Sequence, residues 1–256
     1  MGLVPQRAKN VIKRTVFYKP LCILHHRAIR LNVFLQKKKM TVSSAASINP
    51  LKLYRVDPLE ISHAPKRDFK NRRFRFLSPV LKGDWDLNRT SLRTDYAYRS
   101  VHDHFKNDIP WEKTDLYKRT KDELTSEKNH SRWGCNNFQE FQSRLSNIDE
   151  LFRVITNSGY KTQRELQTSE DDPIGTRSCH PPEWNEVTVH VSRNGEFLFH
   201  EGRHRLAIAQ ALEIDKIPVR IMIRHHKWQL KRTNAFQQNK IKKHDSNHPD
   251  INNLIS

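Results

Sequence analysis

The sequence predicts an α+β domain, a small mixed sheet with packed helices, extended by a largely helical insert and basic tails. Three observations predict it. Val187, Val189 and Val191 alternate with polar residues, and Asn194-Gly195 and a second apolar run follow, which is the pattern of a β-hairpin. Gly202 separates that hairpin from residues 205–212 (RLAIAQAL), a short helix apolar enough to be buried on nearly all sides. Ile217, Val219, Ile221 and Ile223 then alternate as a further strand.

In chain order, residues 1–50 form a basic extension with ten Lys or Arg and no acidic residue before Asp57. Its composition is compatible with a targeting leader, a basic surface-binding segment or a disordered arm, and Pro20 breaks any long helix there. The domain proper spans 51–228. Leu53, Tyr54, Val56 and Ile61 mark a first strand, and Lys82-Gly83-Asp84-Trp85-Asp86 a tight polar turn. Residues 62–144 read as an insert, with charged helices either side of Pro110 between Tyr96 and Lys128. Ile148, Leu151, Phe152 and Ile155 share one helical face. Ser146 and Asp149 are placed to cap that helix over 147–158, and Gly159 to stop it. Asn194-Gly195 is expected as a type I′ turn leading into a strand over 196–199. Residues 229–256 are expected to fray as a polar, basic tail after one more helical stretch.

The 256 residues carry a formal net charge of +18 and only 36% hydrophobic residues, with a mean hydropathy of −0.83. That balance fits one core plus solvated extensions and points to anionic partners. Cys22, Cys135 and Cys179 are widely spaced and unpaired in pattern, which argues against a disulfide framework or zinc ribbon and for a reducing compartment. No run reaches the length of a membrane span. The expectation is a soluble, cytoplasmic protein, subject to the fate of residues 1–50.

The most informative segment is Gly202-Arg203-His204-Arg205. A glycine that ends a strand and opens a helix leaves backbone N–H groups unpaired at the positive end of the helix dipole. Arginine forks around such a turn suit phosphate oxygens, and basic side chains there oppose the dipole unless an anion is present. Gly202, Arg203, His204 and Arg205 are therefore candidate phosphate-binding residues. Glu201 is the nearest carboxylate, a candidate to orient a nucleophile or ligate magnesium, with His204 its candidate catalytic partner. Asp84 and Asp86 read as surface polar residues, and His225-His226 as the surface end of a strand. His200-Glu201-Gly202-Arg203-His204 also matches H-E-x-x-H literally. That zinc-protease chemistry needs both histidines on one continuous helix, whereas His200 follows a strand and Gly202 interrupts.

Taken together, the strand, EGRHRLAIAQAL and IPVRIMIRH resemble the ParB/sulfiredoxin superfamily, over roughly residues 146–228. The fuller pattern, including KGDWD at 82–86, PWE at 110–112 and GYKTQ at 159–163, is similar to little-characterised archaeal and bacterial ParB-like proteins. The resemblance implies binding of ATP, ADP or CTP through the glycine turn, with magnesium as a candidate companion ion. It adds Lys161 and Gln163 as nucleotide contacts. Arg203 stands where sulfiredoxins place their reactive cysteine, so that chemistry is absent, and too little chain follows Ile223 for the helix-turn-helix of partition proteins. What remains is a small-molecule kinase or NTPase, or else a nucleotide-gated module whose basic tails meet nucleic acid non-specifically. Trp85, Trp111 and Trp133 serve either a small-molecule or glycan-related substrate pocket or the core.

Overall fold

The computed structural model describes residues 46–69, 73–125, 133–168, 180–238 and 248–252, with isolated positions between 24 and 35 and Leu254. The leader or disordered arm expected over 1–50 falls mostly outside the described residues.

The fold is α+β, as the hairpin, glycine turn and apolar helix predict. One sheet is built from β1 (Leu53–Val56), β2 (His63–Pro65), β3 (Val80–Leu81), β4 (Arg89–Ser91), β5 (Val187–Val191), β6 (Phe197–Glu201) and β7 (Ile217–His225). Its strand order is β1-β7-β5-β6-β2-β4, with β3 on the far end of β7. It is mixed: β5 runs parallel to β7 and antiparallel to β6, and β2 runs parallel to β6. The helices are α1 (Arg73–Leu77), α2 (Tyr96–Lys106), α3 (Asp115–Thr125), α4 (Phe138–Ser158), α5 (Gln163–Thr168), α6 (Arg203–Ala211), α7 (His226–Gln238) and α8 (Pro249–Asn252). No helix among the described residues is long and apolar enough to cross a membrane.

The alternation read from β5 divides the two faces of the sheet. Val187, Val189 and Val191 join the main core with Leu206, Ala207 and Ile208 of α6 and Leu145, Ile148 and Leu151 of α4. Thr188 and His190 face the other way, toward a smaller core of Phe69, Trp85, Leu198, Met222 and Ile223. Helix α6 is buried from Arg205 to Ala211, as its composition requires.

Several expectations are corrected. The 62–144 segment contributes β2, β3 and β4 to the sheet as well as helices. Helix α4 starts at Phe138, not near Asn147, because Phe141 and Leu145 extend the same buried stripe. Its cap is Asn137, whose side chain accepts from the Glu140 amide at 2.8 Å, while the Ser146 hydroxyl donates to the Gln142 carbonyl. The hairpin turn is not type I′. Only Gly195, at φ 96°, has positive φ, and the Gly195 amide donates to the Ser192 carbonyl at 3.1 Å. This is a three-residue loop, a type I turn closed by a left-handed glycine. A Cβ at Gly195 would stand 2.6 Å from the Trp228 ring.

The largest correction concerns the chain's end. Residues 248–252 return to the domain, and Asp250 is completely buried. Its carboxylate accepts from Arg224 Nε and Nη2, the latter at 2.7 Å, and from Trp228 Nε1 at 2.9 Å, and it pairs with Arg232 at 3.1 Å. His225 is likewise buried, with its Nε2 2.8 Å from the Gly83 carbonyl. Asp86 is buried against Arg193 rather than displayed at the surface.

Candidate functional site

Gly202 is the left-handed residue between β6 and α6, at φ 95°, ψ 33°. A Cβ there would lie 2.8 Å from the Cα of Val187, so close β5–β6 packing and the backbone conformation both demand glycine. The first amides of α6 have no intrahelical partner, no side chain caps them, and they lie at the positive end of the helix dipole. Residues 199–205, with Trp133 and Arg144, line a cleft of about 370 Å³. The structure thus gathers Glu201, Gly202, Arg203, His204 and Arg205 at one cleft.

Their individual states differ from a simple cradle of charges. Arg203 pairs with Asp95 at 2.7 Å and lies over the Trp133 ring, and its Nε is buried without a partner. His204 is held neutral, its pKa lowered to about 3 by burial and then by the neighbouring charges of Arg144 and Arg203. Arg205 turns inward: Nε donates to the Tyr160 hydroxyl at 3.0 Å and Nη2 to the Lys161 carbonyl at 2.5 Å. Behind it, burial pushes Glu186 up to about 7 against the opposing charge of Arg205. Lys161 and Gln163 therefore belong to the support of Arg205. Lys161 does so through its backbone, and Gln163 through an amide that donates to Glu186 at 2.6 Å. Glu201 is gripped by Arg75 of α1 through both carboxylate oxygens.

Arg144, from α4, is the cleft residue that the sequence reading missed. It is exposed, makes no ion pair among the described residues, and lines both this cleft and an adjoining one of about 300 Å³ at Cys135, Glu140 and Asn147. No local pattern marks it, because only the tertiary fold brings α4 to the cleft at the turn. Trp133 lines the cleft, whereas Trp85 and Trp111 are core residues.

The H-E-x-x-H match is split by the fold. His200 lies within β6 with its ring against His190, centroids 4.8 Å apart, while His204 lies beyond the left-handed glycine on α6. Among the described residues no group of three His, Cys, Asp or Glu could hold a metal ion.

The fold and site define an α+β domain with an uncapped helix start opening on a basic cleft. No family model, curated protein or solved structure matches the chain.

Proposed function

We propose that the protein binds a nucleoside di- or triphosphate, ATP, ADP or CTP, through the 202–205 turn, as its resemblance to the ParB/sulfiredoxin superfamily implies. One observation carries the reading: the uncapped start of α6 opens on a cleft that also holds Arg144 and Arg203. Backbone N–H groups and two guanidinium forks supply what phosphate oxygens accept. A phosphate in the cleft gives Arg144 a counter-ion and takes up the unpartnered Nε of Arg203. Neutral His204 contributes a hydrogen bond rather than charge, and Arg205 fixes the helix start from behind. The Trp133 ring offers an apolar wall for a base or sugar.

In a kinase or NTPase, Glu201 would leave Arg75 to orient the attacking group or to join the phosphates in holding magnesium. With Glu201 tied to Arg75 and His204 uncharged, a second reading gains ground, a nucleotide-gated module whose net charge of +18 meets nucleic acid.

The test is thermal unfolding with magnesium and each nucleotide. At a hundredfold excess over Kd, wild type should gain about 5–10 °C. The Arg144→Ala/Arg203→Ala double variant should gain nothing, and absence of any wild-type gain refutes the site. Magnesium-dependent release of orthophosphate, or phosphate transfer to a small-molecule acceptor, that Glu201→Gln abolishes would select the enzyme. Nucleotide-dependent DNA binding without turnover would select the module.

A further inference from the structure

The face of the sheet opposite α6 buries charge that nothing neutralises directly. Arg220 of β7 is completely buried, yet no carboxylate lies within ion-pairing distance of it among the described residues. Its guanidinium donates only to the Arg75 carbonyl at 3.2 Å and, at 3.5 Å, to the Thr188 hydroxyl, and Nε has no partner. The nearest carboxylates are already engaged, Glu201 by Arg75 and Glu183 by Arg164. His190, one β5 side chain along from Thr188, is also fully buried, and both its ring nitrogens lack partners. Phe69 and Trp85 wall it in, and the His200 ring lies tilted beside it.

Buried charges and polar groups are costly unless paired. Here the cost falls on Arg220 and His190, both fully buried on one face of the sheet. A β-bulge aims the cluster. Thr188 pairs with Glu201 while Val189 pairs with Phe199, so His200 is an extra residue that turns toward this face. His200, beside His190, and Glu201, bonded to Arg75, also form part of the wall of the 370 Å³ cleft. The Arg75 and Glu201 side chains are 31% and 41% exposed, so their ion pair is screened and opens at little cost.

We infer that Arg220, Arg75 and His190 form a second anion site, beneath Glu201, for a compact oxyanion: a small carboxylate or orthophosphate. The ligand displaces Glu201 from Arg75, accepts from Arg220 Nε, and gives His190 a partner. This site lies on the other face of the sheet from the 202–205 turn and stands whether or not a nucleotide binds there.

The experiment is thermal unfolding of the full chain in a chloride buffer titrated with acetate, succinate or orthophosphate at constant ionic strength. At least one oxyanion should raise the midpoint by about 5 °C at a hundredfold excess over Kd, and comparing the three distinguishes carboxylate from phosphate. Arg220→Met should abolish the rise, Glu201→Gln should tighten binding several-fold by removing the competing carboxylate, and Arg144→Ala/Arg203→Ala should leave it intact. A midpoint that no oxyanion moves would overturn the inference and leave ordered water as the partner of Arg220 and His190. A rise that survives Arg220→Met, or that weakens with Glu201→Gln, would overturn it as well. Loss of the rise in Arg144→Ala/Arg203→Ala would assign the anion to the 202–205 turn instead.

Discussion

Replacing Asp250 by alanine should cost the fold more than any substitution on the cleft surface. The carboxylate is completely buried and is bonded to Arg224 and Trp228 and paired with Arg232, both arginines being buried as well. Alanine leaves two buried guanidinium groups without their anion. Removing one member of a buried ion pair costs about 3–5 kcal/mol. With two cations orphaned, the upper half of that range applies, about 4–5 kcal/mol, or roughly 8–20 °C in Tm for a chain of this size. The pH dependence gives an independent estimate. Burial pushes the Asp250 carboxyl up, but Arg224 and Arg232, with the hydrogen bonds from Arg224 and Trp228, outweigh this and hold it at about 2, below its ordinary 3.8. A depressed carboxyl stabilises the fold fully above pH 3.8, and the contribution fades as pH falls through 2. The shift corresponds to about 2 kcal/mol. It is smaller than the substitution cost because protonation keeps the side chain in place. Urea denaturation of wild type and Asp250→Ala at pH 7 measures the first figure, and wild type between pH 5 and 2 the second. A loss below about 1 kcal/mol for Asp250→Ala would refute the reasoning, because α8 would then be a dispensable tail.

Two further outcomes follow from the turn and its support. Gly202→Ala should destabilise by about 2 kcal/mol or more, since it combines a left-handed backbone with a Cβ 2.8 Å from the Val187 backbone, and should abolish any nucleotide response; an unchanged urea midpoint would contradict the packing described. Glu186 behaves oppositely to Asp250: its pKa is raised by burial from 4.5 to about 7, so its contribution is present below pH 4.5 and lost as pH rises through 7. That loss amounts to about 3 kcal/mol, and Glu186→Gln should flatten the stability profile between pH 4.5 and 7; a profile as steep as wild type would assign the dependence elsewhere.

Much of this protein is written in local pattern. The valines of β5, the apolar helix after Gly202 and the break at Pro110 each depend on the period of a strand or helix, or on one residue's backbone limits, and these act within a few positions of the chain. The 202–205 turn is legible for the same reason: a glycine between strand and helix determines where free amides point. Which charges surround that turn is decided by contacts between distant segments. Arg144 reaches the cleft only because the fold brings α4, far earlier in the chain, to the same cleft as the turn. Arg205 turns inward because Tyr160 and Lys161 lie behind it, and Glu201 is drawn to Arg75 by the placement of α1. Asp250 looks like a polar residue near a fraying end until Arg224 and Arg232 enclose it. The sequence by itself determined the β5–β6 hairpin, the glycine turn, α6 and β7, because those depend on neighbours in the chain. The tertiary structure alone decided which ionisable groups are buried, paired or free, because burial and Coulomb energy depend on neighbours in space.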